Sequence, residues 1–473
     1  MERLDVDICV IGAGSGGLSV AAGAAQLGAG TVLIERHKMG GDCLNFGCVP
    51  SKSLLAAAHA AETARRAASF GVACAAPSVD GKRVHDHVHA VIGAIAPNDS
   101  VERFTGLGVK VLRASARFVD AREVEAGDVR VRARRFVIAA GSSPAVPPIP
   151  GLDRVPFETN ETIFDRASLP AHLVVIGGGP IGIEMAQAHG RLGSEVTVLD
   201  RGRILPRDDP EPVAILRRLL TGEGIRIRED ARITGVERTP AGVAVLLEGA
   251  AGPERIEGTD LLVAAGRRPN LDGLGLEAAD IAYGPRGIDV DSRLRTTNRR
   301  VFAIGDVGGP YQFTHMATYH AGIVIRNALF RLPAKVDHRA VPWVTYTEPE
   351  LAHVGMGEQA ARDAGTPIRV LRWPFHDNDR AQAERATHGL VKVIATPRGR
   401  VLGATILGPS AGELIQTWVL AIAQKIKVGA VANMIAPYPT LGEANKRAAG
   451  SFFTPALFSP RTRRIVRFLS RFG

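Results

Sequence analysis

At 473 residues the chain is long enough for about three domains of roughly 150 residues, and its 45% hydrophobic and 22% charged content excludes a disordered polymer. Of the net charge of +10, residues 444–473 supply seven Lys or Arg and no acid, leaving +3 elsewhere, which excludes an extended polyanion-binding surface and with it a nucleic-acid partner. No apolar run approaches the ~18 residues of a membrane span, and four cysteines are too few for a disulfide scaffold.

Residues 1–7 carry acids and enter a strand pattern at once, so no secretory signal is read and a cytoplasmic protein is expected. Asp7-Ile8-Cys9-Val10-Ile11 predicts a parallel strand buried on both faces. It runs into Gly12-Ala13-Gly14-Ser15-Gly16-Gly17, an alanine-rich helical stretch, and a second strand, Thr31-Val32-Leu33-Ile34, ending at Glu35. Gly12 permits the tight turn, Gly14 lets backbone approach a pyrophosphate, and Gly17 lets helix and strand pack closely. Glu35 is placed to accept hydrogen bonds from a ribose.

Next comes Gly40-Gly41-Asp42-Cys43-Leu44-Asn45-Phe46-Gly47-Cys48-Val49-Pro50-Ser51-Lys52. Two cysteines five apart on a glycine-interrupted helix start can close into a strained disulfide. A thiolate there gains from the helix dipole and from Lys52, which lowers its pKa below about 8.5. No metal-ligand spacing accompanies the pair, so no metal site is expected. Cys9 and Cys74 read as packing residues.

The nucleotide pattern then repeats. Leu173-Val174-Val175-Ile176 leads into Gly177-Gly178-Gly179-Pro180-Ile181-Gly182, a helix, and a strand ending at Asp200, with the 23-residue spacing from first glycine to acid that separates Gly12 from Glu35. The chain is therefore expected to bind two dinucleotides. An acid at the strand end suits a free 2′-hydroxyl, so NAD(H) is favoured over NADP(H), although Arg201 and Arg203 follow where a 2′-phosphate would sit.

These residues, the segment 40–52 above all, resemble the class I pyridine nucleotide-disulfide oxidoreductases, which include dihydrolipoamide dehydrogenase, glutathione reductase and mercuric reductase. The resemblance implies an α/β chain with two Rossmann-like dinucleotide-binding domains and a C-terminal α+β dimerisation domain. FAD would bind to residues 1–150 continued by 280–337, NAD(P) to 151–279, and 340–473 would pair two copies as a homodimer whose subunits lend residues to each other's active sites. The resemblance makes Cys48 the charge-transfer thiol beneath the flavin and Cys43 the interchange thiol that meets substrate. It pairs Lys52 with Glu184 and puts Asp306 of Ala303-Ile304-Gly305-Asp306 on the ribityl chain. Gly141 of Ala140-Gly141-Ser142 and Gly266 of Ala265-Gly266-Arg267 sit where the family closes its two nucleotide folds.

One stretch departs from the disulfide reductases. They carry His-Pro near the C-terminus with a glutamate five residues after the histidine; here Pro437-Tyr438-Pro439-Thr440-Leu441-Gly442-Glu443 keeps the glutamate but has Tyr438 for histidine. A histidine of pKa about 6.5 is mostly free base at pH 7, whereas a tyrosine near 10 is roughly 0.1% ionised. Positioned acid–base groups supply about 10²–10⁴-fold, so lipoamide or glutathione disulfide is expected to turn over poorly. Tyrosine resembles the mercuric reductase branch, although residues 461–473 hold no cysteine pair to hand metal inward. The expected acceptor is a disulfide, a thiol-bound metal ion such as Hg(II), or a quinone. The acceptor is not identified by the sequence, and a mercuric or other metal-ion reductase and a dihydrolipoyl dehydrogenase-like disulfide reductase are the two alternatives it leaves open. A non-catalytic flavoprotein subunit is disfavoured, because it would have no reason to keep Cys43, Cys48, Lys52, Glu184 and Glu443 together.

In the basic tail 461–473, Ile465, Phe468, Leu469 and Phe472 recur at helical spacing opposite Arg464, Arg467 and Arg471. That predicts an amphipathic basic helix able to lie on an anionic membrane or dock on an acidic partner, with a frayed or self-packed helix as the plain alternative.

Overall fold

Side-chain alternation along the first strand, β1 (Glu2–Ile11), sets the layout of the computed structural model, which describes residues 1–249 and 252–472. Cys9 and Ile11 point to one face of a sheet, Ile8 and Val10 to the other, and each set joins its own hydrophobic core. A strand buried on both faces must be apolar at every position, which explains the unbroken Ile8-Cys9-Val10-Ile11 run. Cys9 is thus a packing residue, as expected. Cys74 is not: it is exposed, and its thiol donates to the Ala64 carbonyl at 3.0 Å.

The chain forms two compact units, residues 1–201 with 231–336, and residues 202–230 with the chain from 337 onward. In the first unit β1 leads through the glycine loop into α1 (Ser15–Gln26) and β2 (Thr31–Ile34). The short helix α2 (Gly41–Asn45) and the long α3 (Cys48–Arg66) follow, and β3 (Val109–Leu112) and β4 (Val129–Ile138) complete the first half of the sheet. The parallel order is β3–β2–β1–β4. The C-terminal end of β4 pairs with a strand from much later in the chain.

A second parallel group begins with β5 (His172–Ile176), α4 (Pro180–Leu192) and β6 (Glu195–Leu199). It is completed by β7 (Asp260–Val263) on the far side of β5. The chain then returns to the first sheet as β8 (Val301–Ala303), parallel to residues 136–138 of β4, and enters α5 (Thr314–Ala328). Residues Ser142–Pro144 pair antiparallel with Arg267–Pro269, joining the exits of the two nucleotide folds. The two Rossmann-like folds expected from the repeated glycine motif are both present.

The second unit is built on an antiparallel sheet of β9 (Pro342–Thr345), β10 (Glu350–Gly355), β11 (Arg369–Pro374), β12 (Leu390–Ala395) and β13 (Val401–Gly408), in the order β9–β10–β13–β12–β11. Trp418 on α6 (Gln416–Ala423) fills its core, and the indole N–H donates to Asn445 on α7 (Glu443–Gly450) at 2.8 Å. Buried Lys392 of β12 meets three carboxylates: Asp209 at 2.6 Å, Glu211 at 2.8 Å and Glu358 at 2.8 Å. Asp209 and Glu211 open the helix Pro210–Gly222, so this buried charge cluster ties that helix to the sheet.

The tail forms α8 (Pro460–Leu469), capped by the Ser459 hydroxyl, which accepts the Thr462 N–H at 3.2 Å. It is helical, and its side chains are exposed except for the partly buried Thr462, whose hydroxyl donates to the Ala456 carbonyl at 2.8 Å. Among the described residues no helix is long and apolar enough to cross a membrane.

Candidate active site

The two glycine loops repeat each other bond for bond. Gly12 N–H donates to the Ile34 carbonyl at 2.8 Å, and Gly177 N–H to Leu199 at 2.8 Å. The acid at the end of each second strand then holds the next amide of its own loop, Ala13 N–H on Glu35 at 2.7 Å and Gly178 N–H on Asp200 at 2.7 Å. A Cβ on Gly17 would lie 1.8 Å from the Gly12 carbonyl oxygen, and one on Gly182 would lie 1.9 Å from that of Gly177, so neither position tolerates a side chain. The middle glycines differ. Nothing lies within 4 Å of a Cβ built on Gly179, and for Gly14 the nearest atom is 4.0 Å away. Gly14 and Gly179 also cap α1 and α4 with no side-chain partner for the first amides. Open space before a helix N-terminus with unclaimed N–H groups suits a pyrophosphate, so both loops fit a dinucleotide.

The cysteine segment is tied to the first loop. Gly40 N–H donates to the Ala13 carbonyl at 2.9 Å, and Gly41 at φ +59° approaches so closely that a Cβ would sit 2.7 Å from Gly14 Cα. This contact puts α2, which carries Cys43, beside the mouth of the loop. The helix breaks at Phe46 and Gly47 and restarts at Cys48, the first residue of α3.

Both cysteines are free thiols sharing a hydrogen bond, and the two sulfurs titrate in opposite directions. Cys48 is lowered to about 6, chiefly by the hydrogen bond from Cys43, with help from the Thr314 hydroxyl and the Lys52 charge. Cys43 is pushed up, because it donates to Cys48 and is partly buried. At neutral pH the pair is therefore one thiolate, Cys48, held by one thiol, Cys43. The neighbouring cysteine does more here than the lysine, which lowers Cys48 as expected. The Lys52 ammonium donates to Glu184 at 2.7 Å across the packed helices α3 and α4, and Glu184 is only 5% exposed.

Thr314, the first residue of α5, was not legible as a site residue. Its Oγ1 lies 3.4 Å from Cys48 Sγ, and it bonds to Cys43 as well. Arg267 is another such group. It donates to the Ser142 carbonyl and hydroxyl at 2.7 Å each and pairs with Asp42 at 3.0 Å. Asn160 also donates to Asp42 at 3.0 Å, fixing the residue before Cys43. The Ser142 hydroxyl donates in turn to Asp306, whose carboxyl is pushed up by burial against the pull of Ser142 and Arg267. Asn270 N–H donates to the Gly141 carbonyl at 3.0 Å and Ala145 N–H to that of Gly266 at 2.9 Å, so both glycines fall in this junction.

Tyr438 and Glu443 belong to the second unit. Tyr438 is 68% exposed and its hydroxyl donates to Asp379 at 2.7 Å; that carboxylate pushes the phenol above its usual pKa. Glu443 opens α7 and accepts from Arg447 one turn on, at 2.8 Å.

The profile described as pyridine nucleotide-disulphide oxidoreductase matches residues 6–321, and that of the dimerisation domain of the same proteins matches residues 341–449. A mercuric reductase from Streptomyces lividans is 36% identical over 454 residues, covering 94% of this chain and 96% of the relative. A dihydrolipoyl dehydrogenase from Thermus scotoductus is 37% identical over 463 residues, covering 95% and 98%. Among solved structures, the Cu(II) complex of the HOCl-induced flavoprotein disulfide reductase RclA from Escherichia coli superimposes with a TM-score of 0.85 at 28% identity, over 93% of this chain and 99% of that one.

Proposed function

The chain belongs to the pyridine nucleotide-disulphide oxidoreductases, and from that premise we propose that it delivers two electrons to a soft metal ion presented as a thiol complex. It is an FAD-dependent oxidoreductase that uses a pyridine nucleotide and carries the family's dimerisation domain. Bound FAD supplies the two-electron step between nicotinamide and disulfide.

The protein's own residues then divide the work. The loop of Gly12, Gly14 and Gly17, with Glu35, Gly141 and Asp306, holds the flavin nucleotide. The loop of Gly177, Gly179 and Gly182, with Asp200 and Gly266, holds the nicotinamide nucleotide. Lys52 is fixed by Glu184 beside the flavin site. Cys43 and Cys48 form the redox pair: reduced, Cys48 stays a thiolate while Cys43 keeps its proton until it meets the acceptor. In balance, a complex of M(II) with two thiolates, NADH and one proton give M(0), NAD⁺ and two free thiols.

The observation that carries the choice of acceptor is the Tyr438 hydroxyl bound to Asp379. Reducing a dithiol-forming disulfide needs a group that moves protons near pH 7, and a phenol pushed further up by a carboxylate is a poor one. A soft ion needs thiolate ligands instead. The mercuric reductase relative and the Cu(II)-bound RclA structure support the same reading.

The experiment is anaerobic: reduce the protein with NADH, then compare reoxidation by oxidised lipoamide and by Hg(II) bound to excess thiol. Fast reoxidation by the metal complex with little by lipoamide is expected, and the reverse order overturns the assignment. NADH is the preferred donor because Asp200 occupies the position that would repel a 2′-phosphate; comparable kcat/KM with NADPH would contradict that. The active form is a homodimer through the dimerisation domain at residues 341–449, working in the cytoplasm, with 1–150 and 280–337 as the FAD domain and 151–279 as the NAD(H) domain.

A further inference from the structure

The tail helix α8 is an exposed apolar feature that the electron-transfer machinery does not use. Ile465, Val466, Phe468, Leu469 and Phe472 are all exposed, from 48% for Ile465 to 74% for Phe472. At 100° per residue Ile465, Val466, Phe468 and Leu469 fall within an arc of about 160°, and Arg463, Arg464 and Arg467 occupy an arc of about 100° opposite, while Arg461 in the first turn falls on the apolar side. The Phe468 and Phe472 rings meet edge to face at 5.1 Å, which makes the apolar arc continuous past the last helical turn. The capped start at Ser459 and the Thr462 hydroxyl on the Ala456 carbonyl at 2.8 Å fix where the helix begins.

We propose that α8 is an interfacial helix that binds the surface of an anionic lipid bilayer, with its apolar arc in the acyl boundary and its arginines among the headgroups. Charge complementarity selects this occupant. Residues 461–473 carry five arginines and no acid, a charge that repels a second copy of the same segment and is attracted to an anionic layer. An anionic headgroup layer matches both properties at once: it takes up positive charge at its surface and apolar side chains just beneath. The segment also lies beyond residue 449, where the match to the dimerisation domain stops.

The test is flotation of the full-length holoenzyme, followed by its yellow absorbance, with phosphatidylcholine vesicles and with vesicles containing about one quarter phosphatidylglycerol. The enzyme is expected to float with the anionic vesicles only and to be released by salt. Arg464→Glu/Arg467→Glu should weaken binding at least fivefold per position, given what one basic residue contributes near such a surface. Phe468→Ser/Leu469→Ser should abolish it from the apolar side. Both variants should keep their flavin and their rate of reduction by NADH in solution, which separates failure of this proposal from failure of the electron-transfer reading. Equal flotation with neutral vesicles would overturn it, as would no flotation at all. A change of oligomeric state in the variants, without any change in flotation, would likewise overturn it by assigning the face to a second copy.

Discussion

Replacing Thr314 with valine removes one hydroxyl from beside the Cys48 and Cys43 sulfurs at nearly constant volume. Cys48 is lowered from 9.0 to about 6, first by Cys43 and then, against burial, by Thr314 and Lys52. A net hydrogen bond worth about 1 kcal/mol moves the midpoint upward by roughly 0.7 of a pH unit when it is removed. The sign follows from the depressed pKa: the thiolate persists above the folded midpoint and is lost as pH falls through it, so the variant loses it at higher pH. At pH 7 the thiolate fraction falls from about nine-tenths to roughly two-thirds. Two assays on the reduced protein read this directly, ultraviolet thiolate absorbance against pH and the rate of alkylation of Cys48 by iodoacetamide. Neither requires the flavin to be bound or turning over. Thr314→Ser keeps the hydroxyl and should titrate with the wild type. A valine variant that titrates like wild type, or a serine variant displaced as far as valine, would refute the reasoning.

Cys43→Ala removes the principal donor to Cys48 and should raise its midpoint from about 6 well toward 9.0, by more than Thr314→Val, in the same alkylation titration. Gly17→Ala drives a methyl into the Gly12 carbonyl and should yield protein without flavin. Gly182→Ala, the equivalent clash in the other loop, should retain flavin absorbance but be reduced by NADH about a hundredfold more slowly in stopped flow. Tyr438→His restores a group titrating near neutrality and should raise lipoamide turnover at least tenfold; no gain would mean that the tyrosine is not what limits disulfide reduction. Lys392→Met leaves three carboxylates facing an apolar stem, and a loss of about 3–5 kcal/mol is expected in urea unfolding. In the wild type, Glu211 is depressed to about 2 by Arg372 and Lys392, so its share of stability should disappear as pH falls from 4.5 toward that value.

What could be read from the sequence was whatever a local pattern enforces. The first and third glycines of each loop are steric necessities, because backbone oxygens occupy the place of a side chain, and their spacing repeats wherever the fold repeats. The Cys43 and Cys48 pair was legible because both lie in one short segment. Glu184 came only through the resemblance, and the Lys52–Glu184 bond crosses 132 positions. Thr314 meets Cys48 over 266 positions and follows no motif, so periodicity gave no hint of it. Arg267 lay inside a quoted motif, yet its pairing with Asp42 depends on two chain exits meeting side by side. The bond from Tyr438 to Asp379 spans 59 positions and was invisible for the same reason. Cys74 misled because small apolar neighbours in the sequence do not make a core when the segment stays at the surface.

The late return of β8 to β4 has a consequence for biosynthesis. Residues 301–303 pair with residues 136–138, so the first sheet keeps an open edge until 165 further positions have been translated. At about 5–20 residues per second, that edge stands uncovered for on the order of ten seconds or more in each nascent chain. Asp306 arrives with the same return, so under the proposed assignment the flavin nucleotide is not clasped before then, however early the Gly12 loop leaves the ribosome. A chain stalled near residue 200 would hold a complete glycine loop and a ready cysteine pair on an unfinished sheet. Completion of that sheet is therefore gated by the arrival of residues 301–303, about two thirds of the way along the chain, rather than by its first half.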